Sequence, residues 1–150
     1  VAGEGARQAP LGQLHSVERD EAAVHLIEKN RDKFELDNLF IYQGDAAERT
    51  ADLPVPDKVF IGGSGGKLGE IMKNIAAFDR EIRVTVSAVT LETIAEAGEI
   101  LGNYDADYDV IQATVGRGRK IGSYHIMDTN NPVMIFTATI HGPGGQKIHE

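Results

Sequence analysis

The sequence predicts an α/β fold built on a mostly parallel sheet whose last strand runs antiparallel. Three observations predict it. Short apolar runs alternate with stretches of helical periodicity from residue 13 to residue 101, the pattern of consecutive βα units. Two further apolar runs, 109–115 and 133–138, have no helix between them and close as a hairpin. The chain has 150 residues, of which 41% are hydrophobic and 25% charged, enough to bury the core of one domain.

Taken in order, residues 1–9 are rich in Ala, Gly and Glu and read as the end of a helix closed by Pro10-Leu11-Gly12. Residues 13–18 form a short strand. A helix from about Asp20 to Phe34 places Ala23, Leu26, Ile27, Asn30 and Phe34 on one stripe, with acids in its first turn and bases in its last, as the helix dipole favours. Leu39 to Gln43 is a strand ended by Gly44-Asp45. After Pro54 and Pro56, residues 57–61 have the continuous apolar character of a strand covered on both faces. Gly62 to Gly66 lead into a helix carrying Leu68, Ile71, Met72, Ile75 and Ala76. The strand 82–87 follows. Thr90 then caps a helix with Leu91, Ile94, Ala95, Gly98 and Leu101 inward, ended by Gly102. A basic, glycine-rich connection, Gly116 to Asn131, joins the last two strands, and residues 140–150 read as a flexible tail. No repeat and no internal linker interrupts the pattern.

Composition excludes several functions. A net charge of −8 disfavours a general binder of nucleic acid or anionic membrane, either of which needs a broad basic field. The absence of cysteine removes disulfides, thiolate metal sites and cysteine nucleophiles. No apolar run approaches the ~18 residues of a membrane span, and the start lacks the pattern of a signal peptide. The reading is a soluble, cytoplasmic, single-domain protein. The five histidines show no metal-ligand spacing, so no metal site is expected.

In open parallel sheets ligands sit at the carboxyl ends of the strands, where Glu18, Asp45 and residues 62–66 all fall. An acid in the place of Glu18 accepts hydrogen bonds from both ribose hydroxyls in nucleotide-binding α/β folds; the alternative is an acid that merely suits the helix start. Asp45 could accept from an adenine amino group, or be an ordinary turn aspartate. Gly62-Gly63-Ser64-Gly65-Gly66 allows close backbone approach to a ligand ahead of a helix, yet matches neither a Walker loop nor GxGxxG. Arg117, Arg119 and Lys120 form the densest basic cluster and would attract a polyanion, unless they are a solvated loop tip. Tyr124 and His125 follow closely and could bond to a substrate. No catalytic residue is identifiable, because no Ser-His-Asp, HExxH or paired-carboxylate arrangement appears. The chemistry points to a bound cofactor.

Several segments, in this order, carry a resemblance: Val17-Glu18-Arg19-Asp20, Gly44-Asp45-Ala46, Pro56 to Gly66 (PDKVFIGGSGG), Ala88 to Thr93 (AVTLET), Gly116 to Gly122 (GRGRKIG) and Asn131-Pro132-Val133. From about residue 3 to residue 139 the chain resembles the CbiT family and the C-terminal half of CobL, the decarboxylating precorrin C-15 methyltransferases of cobalamin biosynthesis. The resemblance implies a class I methyltransferase fold with a Rossmann-like sheet, and S-adenosylmethionine (SAM) as cofactor. It implies methylation at C-15 of a precorrin macrocycle with loss of CO2 from the C-12 acetate, and a homo-oligomer, tetrameric by analogy. The cofactor set expected on this basis is Glu18, Arg19, Gly44, Asp45, Ala46, Gly62 and Gly63. The substrate set is Ser64, Gly65, Gly66, Arg117, Arg119, Lys120, Tyr124 and His125. The family core begins with a strand and a D-x-G-x-G-x-G loop. Here Gly3 and Gly5 follow no strand, so that strand and loop are expected to be missing from this sequence. Two alternatives are a SAM-dependent methyltransferase for another small molecule and a non-catalytic domain of the same fold.

Overall fold

A computed structural model describes residues 1–105 and 107–142. The chain divides into two compact units, Val1–Pro54 and Val55–Glu150.

The first unit is α1 (Ala2–Gln8), β1 (Leu14–Glu18), α2 (Glu21–Lys33), β2 (Leu39–Gln43), α3 (Ala46–Arg49) and a 3-10 turn at Thr50–Asp52. β1 and β2 pair in parallel, from Leu14 against Leu39 to Glu18 against Gln43. The core is small: Ala6, Leu36 and Leu39 are buried, with Ala2, Leu14, Ile27 and Ile41 packed around them. Gly5 lets α1 lie close to β1, since a Cβ there would come 2.5 Å from Leu14 Cδ1. Asn38 holds the turn between them by donating from Nδ2 to the carbonyls of Ala6, Ala9 and Gly12 at 3.0, 2.9 and 3.2 Å. Asp20 caps α2 by accepting from Ala23 N at 2.8 Å, which stabilises such a helix by about 1 kcal/mol. The predicted stripe on α2 is corrected. Val24 is the buried residue, whereas Leu26 and Phe34 are exposed. At 3.6 residues per turn Leu26 lies on the far side from Val24, and Phe34 is covered by the cations of Arg7 and Lys33 instead of by core.

The second unit holds β3 (Lys58–Ile61), α4 (Leu68–Ala76), β4 (Glu81–Ala88), α5 (Leu91–Tyr104), β5 (Asp109–Ala113), β6 (Gly116–Ile121), β7 (Tyr124–Thr129) and β8 (Val133–His141). Its main sheet has the order β3-β4-β8-β5. β3 and β4 are parallel, and β8 runs antiparallel to both β4 and β5, as the sequence predicts for the closing strand. Alternation builds the core: Ile82, Val84, Val86 and Ala88 of β4 are buried, with Phe136, Ala138 and Ile140 of β8 and Leu68, Ile71, Met72 and Ile75 of α4.

Four expectations are corrected here. β8 continues to His141, so the strand takes two residues assigned to the tail: Ile140 is fully buried and pairs with Ile82. The rest of that tail, 143–150, lies outside the described residues. Gly102 does not end α5, which runs through Tyr104. The inward stripe of α5 is centred on Ala97 and Leu101, and Leu91 is exposed. β3 is not covered on both faces, because Phe60 remains 47% exposed.

The connection from Gly116 to Asn131 is regular. It is a two-stranded antiparallel ribbon, β6–β7, closed by Gly122-Ser123. Gly122 has φ +60° while Ser123 is not left-handed, the signature of a type II′ turn.

Candidate cofactor and substrate edges

In the first unit the β1–β2 register places Glu18 directly beside Gln43, one strand spacing apart. The backbone N–H of Gly44 donates to the Glu18 carbonyl at 3.0 Å. Glu18, Arg19, Gly44, Asp45 and Ala46 therefore come together at the carboxyl edge of one parallel pair, as expected. Glu18 is half-buried, and its Oε1 accepts from Asp20 N at 2.9 Å. Its Oε2 has no protein partner among the described residues. The carboxylate is thus held by its own chain with one oxygen left to accept. Asp45 caps α3, its Oδ1 accepting from Ala47 N at 2.9 Å, so it has a structural role whatever it binds. A separate open depression of about 630 Å³ is lined by Arg31, Asp32, Glu35 and Tyr42 among others. It contains none of the expected site residues.

In the second unit the strand directions put the loop after β3 and the ribbon after β5 on the same edge of the main sheet. The four glycines of the loop serve different ends. Gly65 and Gly66 have φ +58° and +81°, and Lys67 N donates to the Ser64 carbonyl at 3.1 Å. These are the dihedral signs of a type I′ turn, so the fold itself requires both glycines. Gly62 is close-packed, since a Cβ would lie 3.2 Å from the Phe60 ring. Gly63 is different. A Cβ there would meet nothing within 4 Å, and its φ is not left-handed. Nothing among the described residues demands glycine at position 63, which is what a surface approached by a ligand leaves open.

The ribbon sorts the basic cluster by the two-residue period of a strand. Paired residues across an antiparallel ladder share a face, so Arg117, Arg119 and Ile121 lie with Asp128, Ile126 and Tyr124. Lys120 and His125 lie on the other face with Gly118 and Met127. Arg119 Nε donates to Asp128 Oδ2 at 3.0 Å, both side chains being more than half exposed. Arg117 has no hydrogen-bond or ion-pair partner among the described residues. The expected substrate residues are therefore three kinds: Arg117 with a free guanidinium, Arg119 half neutralised, and Lys120 with His125 turned away from both. Asp128 is the functional neighbour that sequence reasoning missed. The signal lay in Gly122-Ser123: once that pair is taken as a hairpin turn, the register sets Asp128 opposite Arg117.

No group of His, Asp and Glu able to hold a metal ion occurs among the described residues, and no helix there is long and apolar enough to cross a membrane.

Two findings fix what kind of protein carries these edges. The fold is that of the class I SAM-dependent methyltransferases: the chain superposes on a SAM-dependent O-methyltransferase of Thermotoga maritima with a TM-score of 0.63 at 18% identity, covering 87% of this chain and 50% of that one. A family model described as a precorrin methyltransferase domain matches residues 1–140, and the chain belongs to that family. It is 38% identical over 141 residues to a protein of Pyrobaculum calidifontis described as a probable cobalt-precorrin-6B C(15)-methyltransferase (decarboxylating), covering 92% of this chain and 68% of the relative. A crystal structure of precorrin-6Y C5,15-methyltransferase from Geobacter metallireducens matches with a TM-score of 0.81 at 33% identity, over 92% of this chain and 73% of that one.

Proposed function

We propose that this protein transfers a methyl group from SAM to C-15 of a precorrin macrocycle and promotes loss of CO2 from the C-12 acetate, within cobalamin biosynthesis. The observation that carries the reading is the family match over residues 1–140, which spans every element bearing an expected site residue.

The residues fit an adenosyl group. Glu18 offers Oε2 as an acceptor while Asp20 N holds Oε1, suiting a ribose diol. Arg19, Gly44, Asp45 and Ala46 border the same edge and are assigned to the rest of the nucleoside; Gly62 and Gly63, in the second unit, complete the expected cofactor set, and Gly63 leaves its backbone open. Bound SAM supplies an electrophilic methyl on a sulfonium. What the chain must add is placement, since methyl transfer depends on in-line approach more than on a strong base. Ser64, Gly65, Gly66 and Arg117 are assigned to the tetrapyrrole, with Arg119, Lys120, Tyr124 and His125 in the same stretch. A free guanidinium on a protein of charge −8 suits a ring bearing many carboxylates. The conjugated macrocycle serves as its own electron sink for decarboxylation.

The protein is further read as a cytoplasmic homo-oligomer that binds no nucleic acid. Support for assembly comes from the β6–β7 ribbon, which is exposed along its length, because an isolated two-stranded ribbon is marginal in water.

The test is incubation with methyl-labelled SAM and a precorrin-6-type substrate, followed by mass analysis of the product and capture of CO2. Label in the macrocycle together with CO2 release is expected. Label without CO2, or no label, would contradict the reading.

A further inference from the structure

Three apolar side chains stand exposed on one edge of the main sheet in the second unit, and none of the described residues there covers them. Val89 is 57% exposed, Leu91 81% and Val115 56%. Single exposed apolar residues are ordinary, but these three are held in place together. Ala88, Met134 and Gln112 form one row across β4, β8 and β5. Val89 follows that row directly on β4, and Val115 lies just past the end of β5. The strands they follow, β4 and β5, lie two strand spacings apart, about 10 Å, a span comparable to the width of a four-ring macrocycle. Thr90 fixes Val89 and Leu91 between buried Ala88 and α5 by capping the helix, its Oγ1 accepting from Thr93 N at 3.2 Å. Asn130 N donates to the Val115 carbonyl at 3.0 Å, which extends the ribbon ladder by one step and puts Val115 on the face of Arg117. Leu91 takes the first position of α5, where an acid would suit the dipole. It stands there 81% exposed, an apolar side chain offered to something outside the described residues.

We propose that Val89, Leu91 and Val115 are the seat for the flat apolar face of the tetrapyrrole, and that Arg117 takes one of its peripheral carboxylates. The proposal deepens the reading given above and rests on it for the chemistry of the ligand. A planar ring with charged margins needs an apolar surface with a cation at its border. On this edge the open backbone at Gly63, the three aliphatic side chains and the unpaired guanidinium supply both. Lys120 and His125 lie on the opposite face of the ribbon and are not part of this seat.

The probe is uroporphyrin, a flat tetrapyrrole ringed by carboxylates, titrated by fluorescence against the wild-type protein and the double variant Val89→Asn, Leu91→Gln. The double variant is expected to bind about tenfold more weakly or worse, as loss of a leucine-sized contact implies. Its thermal melting should be unchanged, because both positions are exposed. Leu91→Glu, which suits the first turn of α5 and so spares the fold, should weaken binding further by repulsion. Absence of probe binding by the wild type, or a double variant within about twofold of it, overturns the proposal. So does a change of sedimentation with probe affinity kept, which would make this edge a contact between copies. The methyl-transfer assay is a separate readout: a wild type that binds the probe through these residues yet transfers no methyl to a precorrin sinks the functional reading and leaves the seat standing.

Discussion

The main sheet of the second unit and the ribbon that leaves it are built on opposite principles. In the sheet, every second residue of β4 is buried and the last turn of β8 is anchored by a fully buried Ile140. In the ribbon, no residue of β6 or β7 is buried, and its cations alternate between two faces. The sheet gains stability from apolar burial, and side chains there are chosen for shape. The ribbon contributes little to that core, so its side chains are free to be chosen for what they meet. The difference separates residues whose loss should be felt in folding from those whose loss should be felt only with a ligand present.

The largest effect belongs to the sheet. Ile140→Ala should cost about 2–5 kcal/mol in denaturant unfolding, as truncation of a fully buried aliphatic side chain does; a cost near zero would return residue 140 to a frayed end. Next comes Arg117→Ala, which should lower kcat/KM for the tetrapyrrole by about 1.5–3 kcal/mol through loss of a charge-assisted bond, leaving SAM affinity and melting temperature as they were. Equal damage to stability would place Arg117 with the sheet residues instead. Asp45→Ala should destabilise the first unit by about 0.5–2 kcal/mol through loss of its cap, a cost that shows in thermal melting without any ligand. The smallest effect is on the pair within the ribbon. A double-mutant cycle on Arg119 and Asp128 should return about 0–1 kcal/mol in stability, since both are exposed and screened. Arg119→Ala should also raise KM less than Arg117→Ala, because Asp128 already occupies that guanidinium.

Much of the fold was legible in the sequence because burial writes a pattern. The α4 stripe of Leu68, Ile71, Met72 and Ile75 is buried as read, and the Thr90 cap stands where expected. What was not legible depends on partners far along the chain. Spacing identifies that α2 and α5 have apolar faces, but which side turns inward is decided by what packs there, hence the exposure of Leu26 and Leu91. The end of β8 was hidden because Ile140-His141 precede a Gly-Pro-Gly-Gly run that reads as coil, while pairing with Ile82 and Glu81 extends the strand. The ribbon was missed because strands without burial carry no apolar alternation to detect. Of the candidate site, the positions of Glu18 and Asp45 at the ends of β1 and β2 were legible, as the strand bounds show. The division of Arg117 and Lys120 between two faces was not, since it follows from a hairpin that the composition disguised.

The central claim is that the carboxyl edge of β1 and β2 seats an adenosyl group through Glu18. Calorimetric titration of SAM into the wild-type protein and Glu18→Ala addresses it most directly. Saturable binding by the wild type, weakened by about 1–3 kcal/mol in the variant as expected for a lost charged hydrogen bond, is the predicted result; equal affinity of the two proteins would contradict it.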